Sequence, residues 1–292
     1  MTRRQHIQPR ALPVNIILTG IARSGTSLAC TLLNRLPNSV ALLEPMSPRL
    51  LEGLEPTVAI PDRIDAFFTS QRASLLARGE AISKARDGEI PENPFSESPD
   101  SSGLRPLLTS QSVVRFEKPL GENFRLVIKH PNCFTALLGV LVPRFPCFAL
   151  VRNPLAVLLS WNTTQSHRID GRQPAAEAFD AELRRRLEAE KDPIGRQLAM
   201  LSWSFEQYSR HLPPQRVIHY EQLVASAGRV LAGIDPEAAS LQGSLESRNA
   251  NRLYAAADIQ GLSARLLESP GAYWDHYSRE SVRDLAGVLL GN

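Results

Sequence analysis

The residues best placed to do chemistry lie in Asn15-Ile-Ile-Leu-Thr-Gly-Ile-Ala-Arg-Ser-Gly-Thr-Ser-Leu28, where Gly20 and Gly25 bracket four residues. The segment reads as a buried strand over Ile16 to Leu18, a tight turn over Gly20 to Gly25, and a helix carrying Leu28, Leu32 and Leu33. Such a turn aims several backbone N–H groups and the positive end of a helix at one point, which makes an anion site, usually for phosphate. Ser24, Gly25, Thr26 and Ser27 supply its donors, and Arg23 adds a cation inside the loop. A second junction, Phe148-Ala-Leu-Val-Arg-Asn-Pro-Leu-Ala-Val-Leu-Leu-Ser-Trp161, reads as a strand ending in Arg152, a proline, then a helix. Proline suits a first helical turn because the N–H it lacks would be unpaired there anyway. Ser160 follows Arg152 by eight residues, or about two helical turns.

Phosphate loops of nucleoside triphosphatases need Gly, four residues, Gly, Lys, then Ser or Thr. Gly20, Gly25 and Ser27 keep that spacing, but Thr26 replaces the lysine. That lysine reaches the β- and γ-phosphates, so its loss argues against ATP or GTP. It suits a nucleotide whose single 5′-phosphate carries another transferable group. Here the chain resembles the sulfotransferases, whose donor is 3′-phosphoadenosine 5′-phosphosulfate (PAPS). Their loop commonly reads Pro-Arg-Ser-Gly-Thr-Thr-Leu or Pro-Lys-Ser-Gly-Thr-Thr, and Ala22-Arg-Ser-Gly-Thr-Ser-Leu28 departs from it at Ala22 and Ser27. Arg152 and Ser160 match the family's Arg-Asp-Pro-like turn and serine that hold the 3′-phosphate, with Asn153 in place of the aspartate. Leu126-Val-Ile-Lys-His-Pro131 resembles a strand ending in Lys-x-Pro, and Val217-Ile-His-Tyr-Glu-Gln-Leu-Val224 a Tyr-Glu-x-Leu segment whose tyrosine, here Tyr220, helps hold the nucleotide. The four pieces run from about residue 14 to 232 and resemble the bacterial branch allied to tyrosylprotein and carbohydrate sulfotransferases. No such match covers roughly 46–125 or the chain after 240.

The resemblance implies in-line transfer of a sulfuryl group to an acceptor hydroxyl or amine, with adenosine 3′,5′-bisphosphate (PAP) as product and no metal required. By analogy with phosphoryl transfer, the protein would position reactants and stabilise charge on the leaving phosphate. Arg23 is the natural cation for that charge. Lys129 is a second, because ligands of such sheets sit off the carboxyl ends of strands. The acceptor's proton needs a base. Glu44 follows the apolar run Val40 to Leu43 and matches a catalytic glutamate of the tyrosylprotein enzymes. His130 is its rival, since cytosolic sulfotransferases draw their base from a Lys-Thr-His segment, here shortened to Lys129-His130-Pro131. Strand alternation would send Lys129 and His130 to opposite faces, so Glu44 is the preferred base and His130 otherwise a hydrogen-bonded structural histidine. Tyr220 and Trp161 are the aromatic candidates for the adenine. Arg248 or Arg252 would close over the 3′-phosphate.

These residues need a parallel sheet to gather them, and the sequence alternates strands and helices as such a sheet requires. Strands are expected near 15–19, 39–43, 125–130, 146–151 and 216–219. Helices are expected at 25–36, 62–86, 132–142, 154–165, 174–190, 195–211 and 221–232, the second presenting Ile64, Phe67, Phe68, Leu75 and Leu76 on one broad face. Segment 87–103, rich in Pro, Ser and acids, reads as a loop: a lid over the acceptor, or an insertion without order, the blander of the two being preferred. The expected fold is a P-loop-like α/β three-layer arrangement, with a central mainly parallel sheet flanked by helices. A tail over 1–12 would precede a single sulfotransferase domain over 13–292, carrying a helical and loop insertion at 46–125.

With 292 residues and 43% apolar side chains, the chain can bury a sizeable core. No apolar run nears the roughly 18 residues that span a bilayer. The N-terminal Met1 to Arg10 is basic without an apolar centre, so neither a secretory signal nor the anchor of Golgi-type sulfotransferases is expected, and Arg3, Arg4 and Arg10 read as a solvated tail. Three cysteines (Cys30, Cys133 and Cys147) without metal spacing suit free thiols in a reducing cytoplasm. A net charge of +3 is too small to argue for nucleic acid. The expected partner is a small-molecule or carbohydrate acceptor. A phosphate-loop small-molecule kinase, or a nucleotide-binding module without catalysis, are the alternative readings.

Overall fold

The computed structural model describes residues 14–255 and 257–291. The tail expected over 1–12, with Arg3, Arg4 and Arg10, lies outside the described residues. In chain order the strands are β1 (Val14–Gly20), β2 (Ser39–Leu43), β3 (Glu80–Ala85), β4 (Ser110–Arg115), β5 (Arg125–Lys129), β6 (Cys147–Val151) and β7 (Val217–His219). Five of them form a parallel sheet in the order β2-β5-β1-β6-β7. β3 and β4 make a separate antiparallel pair.

The strand sequences dictate this arrangement. β2 and β6 are buried along their whole length, the pattern of strands covered on both faces. Successive side chains divide between two apolar clusters: Ile17, Val40, Leu42, Leu126 and Ile128 on one face, Ile16, Leu18, Ala41, Leu43 and Val127 on the other. The helix Thr26–Asn34 packs Leu32 and Leu33 on the second face, while Pro193–His211 and Pro154–Trp161 serve the first. The strands run parallel, so their carboxyl ends fall on one edge, followed there by Ile21, Glu44, His130, Arg152 and Tyr220. The connection from β5 to β6 passes over β1, and a crevice opens where neighbouring strands lead their chains to opposite sides.

Several elements differ from expectation. The helix expected over 62–86 runs as Ala59–Arg78 and stops at Gly79, whose φ of 67° is the left-handed cap that favours glycine. Residues 80–85 are β3, not helix. Ile64, Phe68 and Leu75 are buried on that helix as expected, whereas Leu76 is 44% exposed. The helices expected at 132–142 and 174–190 are each broken in two, Cys133–Ala136 with Leu138–Leu141, and Pro174–Glu177 with Ala181–Ala189. The helices Ile259–Glu268 and Arg279–Leu290 carried no sequence expectation.

Candidate active site

The loop after β1 is bent by two residues with positive φ, Arg23 at 78° and Gly25 at 88°. Gly25 caps the helix Thr26–Asn34, whose first-turn N–H groups have no intrahelical partner and face the cleft. A side chain at Gly25 would meet the Tyr220 ring at 2.7 Å, and one at Gly20 would meet the Leu150 carbonyl oxygen at 2.5 Å. Glycine is therefore required at both bends. Ser24 spends its hydroxyl on the Leu150 carbonyl (2.8 Å) and so holds the loop to β6. Gly25, Thr26 and Ser27 remain on the cleft wall.

Arg23 does not extend along the loop. Its Nε donates to Ser160 Oγ (2.9 Å), its Nη1 to Asn93 Oδ1 (3.0 Å), and its guanidinium lies 4.8 Å from the Phe95 ring centre. Burial, with Arg105, Arg152 and Arg168 nearby, lowers its pKa to about 9. Arg152 donates to the Arg23 carbonyl (2.9 Å), Asn249 Oδ1 (2.7 Å), the Arg248 carbonyl (2.5 Å) and the Tyr254 hydroxyl (3.3 Å). It also lies over the Tyr220 ring at 4.6 Å. Tyr220 accepts from the Arg248 N–H (2.9 Å). Arg152, Ser160 and Tyr220 thus meet the loop after β1, and Arg248 joins them through its backbone. Arg248 and Arg252 line the cleft. Burial raises the Tyr254 phenol, but Arg152 and Arg23 overcome this and leave its pKa lowered. Trp161, an adenine candidate, is instead buried beneath the loop and donates to the Ala22 carbonyl (2.9 Å).

Beside this arginine cluster stand Glu44, Lys129 and His130. The Leu43 N–H donates to Ser83 Oγ (2.9 Å), which docks β3 on β2 and brings Lys84 to Glu44. Glu44 accepts from Lys129 at 3.0 Å and from Lys84 at 2.5 Å. Burial pushes the Glu44 carboxyl up, yet Lys129, Lys84 and His130 outweigh it and hold the pKa well below the carboxylate range. Glu44 also holds a φ of 41°, a left-handed backbone uncommon outside glycine. His130 lies just beyond β5, so strand alternation no longer applies, and it lines the same cleft as Lys129. Its Nδ1 is 3.1 Å from the Pro131 carbonyl. A carbonyl can only accept, so Nδ1 carries the proton and Nε2 a lone pair. Burial lowers the His130 pKa, with Glu44 only partly opposing. At neutral pH the ring is an uncharged base.

Arg23, Glu44, Lys129, His130, Arg152, Tyr220, Arg248 and Tyr254 line one cleft of about 1090 Å³, while Ser160 is fully buried behind Arg23. Segment 87–103 contributes Asn93 and Phe95 to it, which replaces the expectation of an insertion without order. Sequence reasoning also missed Arg105, 4% exposed, whose guanidinium donates to Thr163 Oγ1 (3.1 Å) and to the Thr163 carbonyl (3.2 Å). Arg168 and Tyr254 were missed too. They sit in segments without a local motif, so only the fold reveals them. Among the described residues, no group of three or more His, Cys, Asp or Glu side chains could hold a metal ion, and no helix is long and apolar enough to cross a membrane.

No protein-family model and no curated protein sequence matches the chain. Solved structures similar to it include the sulfotransferase domain of the Synechococcus PCC 7002 olefin synthase, at 14% identity over 99% of this chain and 98% of that one, with a TM-score of 0.34. The sulfotransferase STF9 of Mycobacterium avium is 16% identical over 97% of this chain and 77% of that one, with a TM-score of 0.33. STF1 of Mycobacterium tuberculosis H37Rv is 14% identical over 96% of this chain and 78% of its own, with a TM-score of 0.34.

Proposed function

We propose that the cleft binds PAPS and that the protein is a sulfotransferase, moving a sulfuryl group to a hydroxyl or amine of a small-molecule or carbohydrate acceptor and releasing PAP. The observation that carries this reading is the convergence of Arg23, Arg105 and Arg152 near Ser160 and Tyr254, with no carboxylate paired to any of the three among the described residues. Buried guanidiniums with neutral partners cost desolvation free energy, which a bound anion offsets. The first helical turn at Gly25, Thr26 and Ser27 is a second anion site on the same wall. Two oxyanion sites suit a nucleotide phosphorylated at both its 5′ and 3′ positions. Arg152, Arg105 and Ser160 would take the 3′-phosphate, with Tyr254 and Arg248 beside it.

Charge leaving with the 5′-phosphate would gather near Arg23 and Lys129. The acceptor's O–H or N–H proton would pass to a base as its bond to sulfur forms and the bond from sulfur to the phosphate oxygen breaks. His130 fits that base better than Glu44. A base works best with a pKa near the working pH. His130 offers a neutral lone pair, while two ammonium groups hold Glu44 as a weak base. Glu44 would instead orient Lys129. Three buried free thiols suit work in a reducing cytoplasm.

Calorimetric titration with PAP, AMP and ATP–magnesium tests the donor. PAP should bind about a hundredfold more tightly than AMP, since charge-assisted hydrogen bonds to a second phosphate are added, and Arg152→Ala should erase the difference. Preference for ATP–magnesium would replace sulfuryl with phosphoryl transfer.

A further inference from the structure

The cleft has a second group of donors that no step above uses. Among the described residues, six buried side-chain polar atoms find no hydrogen-bond partner, and four of them belong to residues lining this cleft: Thr109 Oγ1, Ser166 Oγ, Arg168 Nε and Gln173 Nε2. The remaining two, on Ser39 and Asp235, lie away from it. Buried polar groups in folded proteins are nearly always paired, so such clustering marks a place built for a ligand. Each of the four can donate a hydrogen bond, and the guanidinium and the amide nitrogen can only donate.

Arg168 holds the charge of this group. It stands in the one-turn helix His167–Asp170, whose carbonyls at Arg168 and Ile169 accept from Gln197 Nε2 at 2.8 and 3.2 Å. That backbone anchor fixes the residue while leaving its guanidinium uncommitted. Among the described residues it makes no ion pair, unlike Arg172, which is paired with Glu177. Gln173, only 3% exposed, is fixed by its own N–H, which donates to Glu177 at 2.7 Å. Arg168 lines the same cleft as Arg23, Glu44 and His130, so this group borders the proposed reaction centre. Of the carboxylates on the cleft wall, Glu44 is held by two lysines, and Glu97 and Asp170 make no ion pair with Arg168.

We propose that Thr109, Ser166, Arg168 and Gln173 form the acceptor subsite, and that the acceptor carries a carboxylate besides its nucleophilic hydroxyl or amine. Donors without acceptors call for a group that only accepts, and an unpaired guanidinium calls for one that is charged and flat enough for a forked contact. This assignment rests on the sulfotransferase reading for the word acceptor, but the anion site itself does not.

The test is a calorimetric titration of the PAP-saturated protein with 4-hydroxyphenylacetate and with its neutral counterpart 4-hydroxyphenylacetamide. The carboxylate should bind about tenfold or more tightly than the amide, as expected for a charge-assisted contact to a buried guanidinium. Arg168→Ala should abolish that preference, and Gln173→Leu should weaken carboxylate binding while leaving the amide unchanged. PAP affinity, measured on each variant, reports that the fold is intact. Equal binding of the two compounds, binding of neither, or a preference that survives Arg168→Ala overturns the proposal. If PAP itself does not bind, the sulfotransferase reading falls, and the same titration on the protein alone still decides whether Arg168 holds a carboxylate.

Discussion

Two ammonium groups on one carboxylate decide the chemistry around Glu44. Lys129 and Lys84 take one oxygen each, which fixes the carboxylate and removes its appetite for a proton. Next to Lys129, His130 keeps a lone pair on Nε2 because the Pro131 carbonyl claims the proton on Nδ1. The two candidate bases therefore predict different pH profiles. The His130 pKa is lowered below the ordinary histidine value, so activity through His130 is full above that value and is lost as pH falls through the lowered pKa. Activity through Glu44 would persist until the pH fell well below the carboxylate range. We expect kcat/KM to fall on the acid side below about 6.5, and His130→Asn to lower kcat by about a hundredfold and erase that limb. Glu44→Gln should lower kcat less and leave the limb in place. A limb that survives His130→Asn would return the role to Glu44.

At the scale of elements, the site depends on how closely two strand ends can approach. The loop after β1 passes under Tyr220, at the start of the helix Tyr220–Ala225, with only a hydrogen atom at Gly25 between them. Gly25→Ala would place a methyl group 2.7 Å from the ring at a φ of 88°. Either the loop or Tyr220 must move, and Tyr220 carries the contact to Arg248. The variant should lose about 1–3 kcal/mol of stability, read by denaturant unfolding, and PAP affinity should drop with it. Unchanged affinity would mean that the loop does not carry the 5′-phosphate. This loop was legible in the sequence because its signal is local: glycine spacing, one apolar strand before it, one helix after. The five parallel strands were legible for the same reason, as short apolar runs bounded by polar turns. β3 was not, because its alternation of Ala81, Ser83 and Ala85 follows directly on a helix. Gly79 was the available signal for that boundary. Arg105, Arg168 and Asn93 carry no motif at all. Arg105 and Asn93 act through contacts across 58 and 70 positions of chain, Arg105 to Thr163 and Arg23 to Asn93. The Lys84 partner of Glu44 was hidden for the same reason, since β3 delivers it from outside every recognisable segment.

Across the whole molecule, the carboxyl edge of the sheet ties together segments far apart in sequence. Arg23 reaches Asn93, Arg105 reaches Thr163, and Arg152 reaches Asn249. Each bond pairs a buried guanidinium with a neutral group, so the arginines repel one another across the cleft and the ties are weaker than ion pairs would be. An anion among them would reverse that balance, joining the loop after β1, the 87–109 segment and the 245–255 segment through one charge. Local opening of segments with few buried contacts is what hydrogen exchange detects. PAP should therefore slow amide exchange in 90–95 and 245–255 together with 20–27, although the first two lie outside the loop that would bind the 5′-phosphate. AMP should slow mainly 20–27, because it leaves Arg105 and Arg152 unoccupied. Salt should shrink the effect of PAP at the rim more than in the cleft, since screening acts over about 10 Å in exposed regions and far less where water is excluded. Protection confined to 20–27 with PAP would mean that the arginine cluster holds the fold together without reading a 3′-phosphate. Protection of all three segments would mean that nucleotide binding completes the cleft wall around Lys129 and His130.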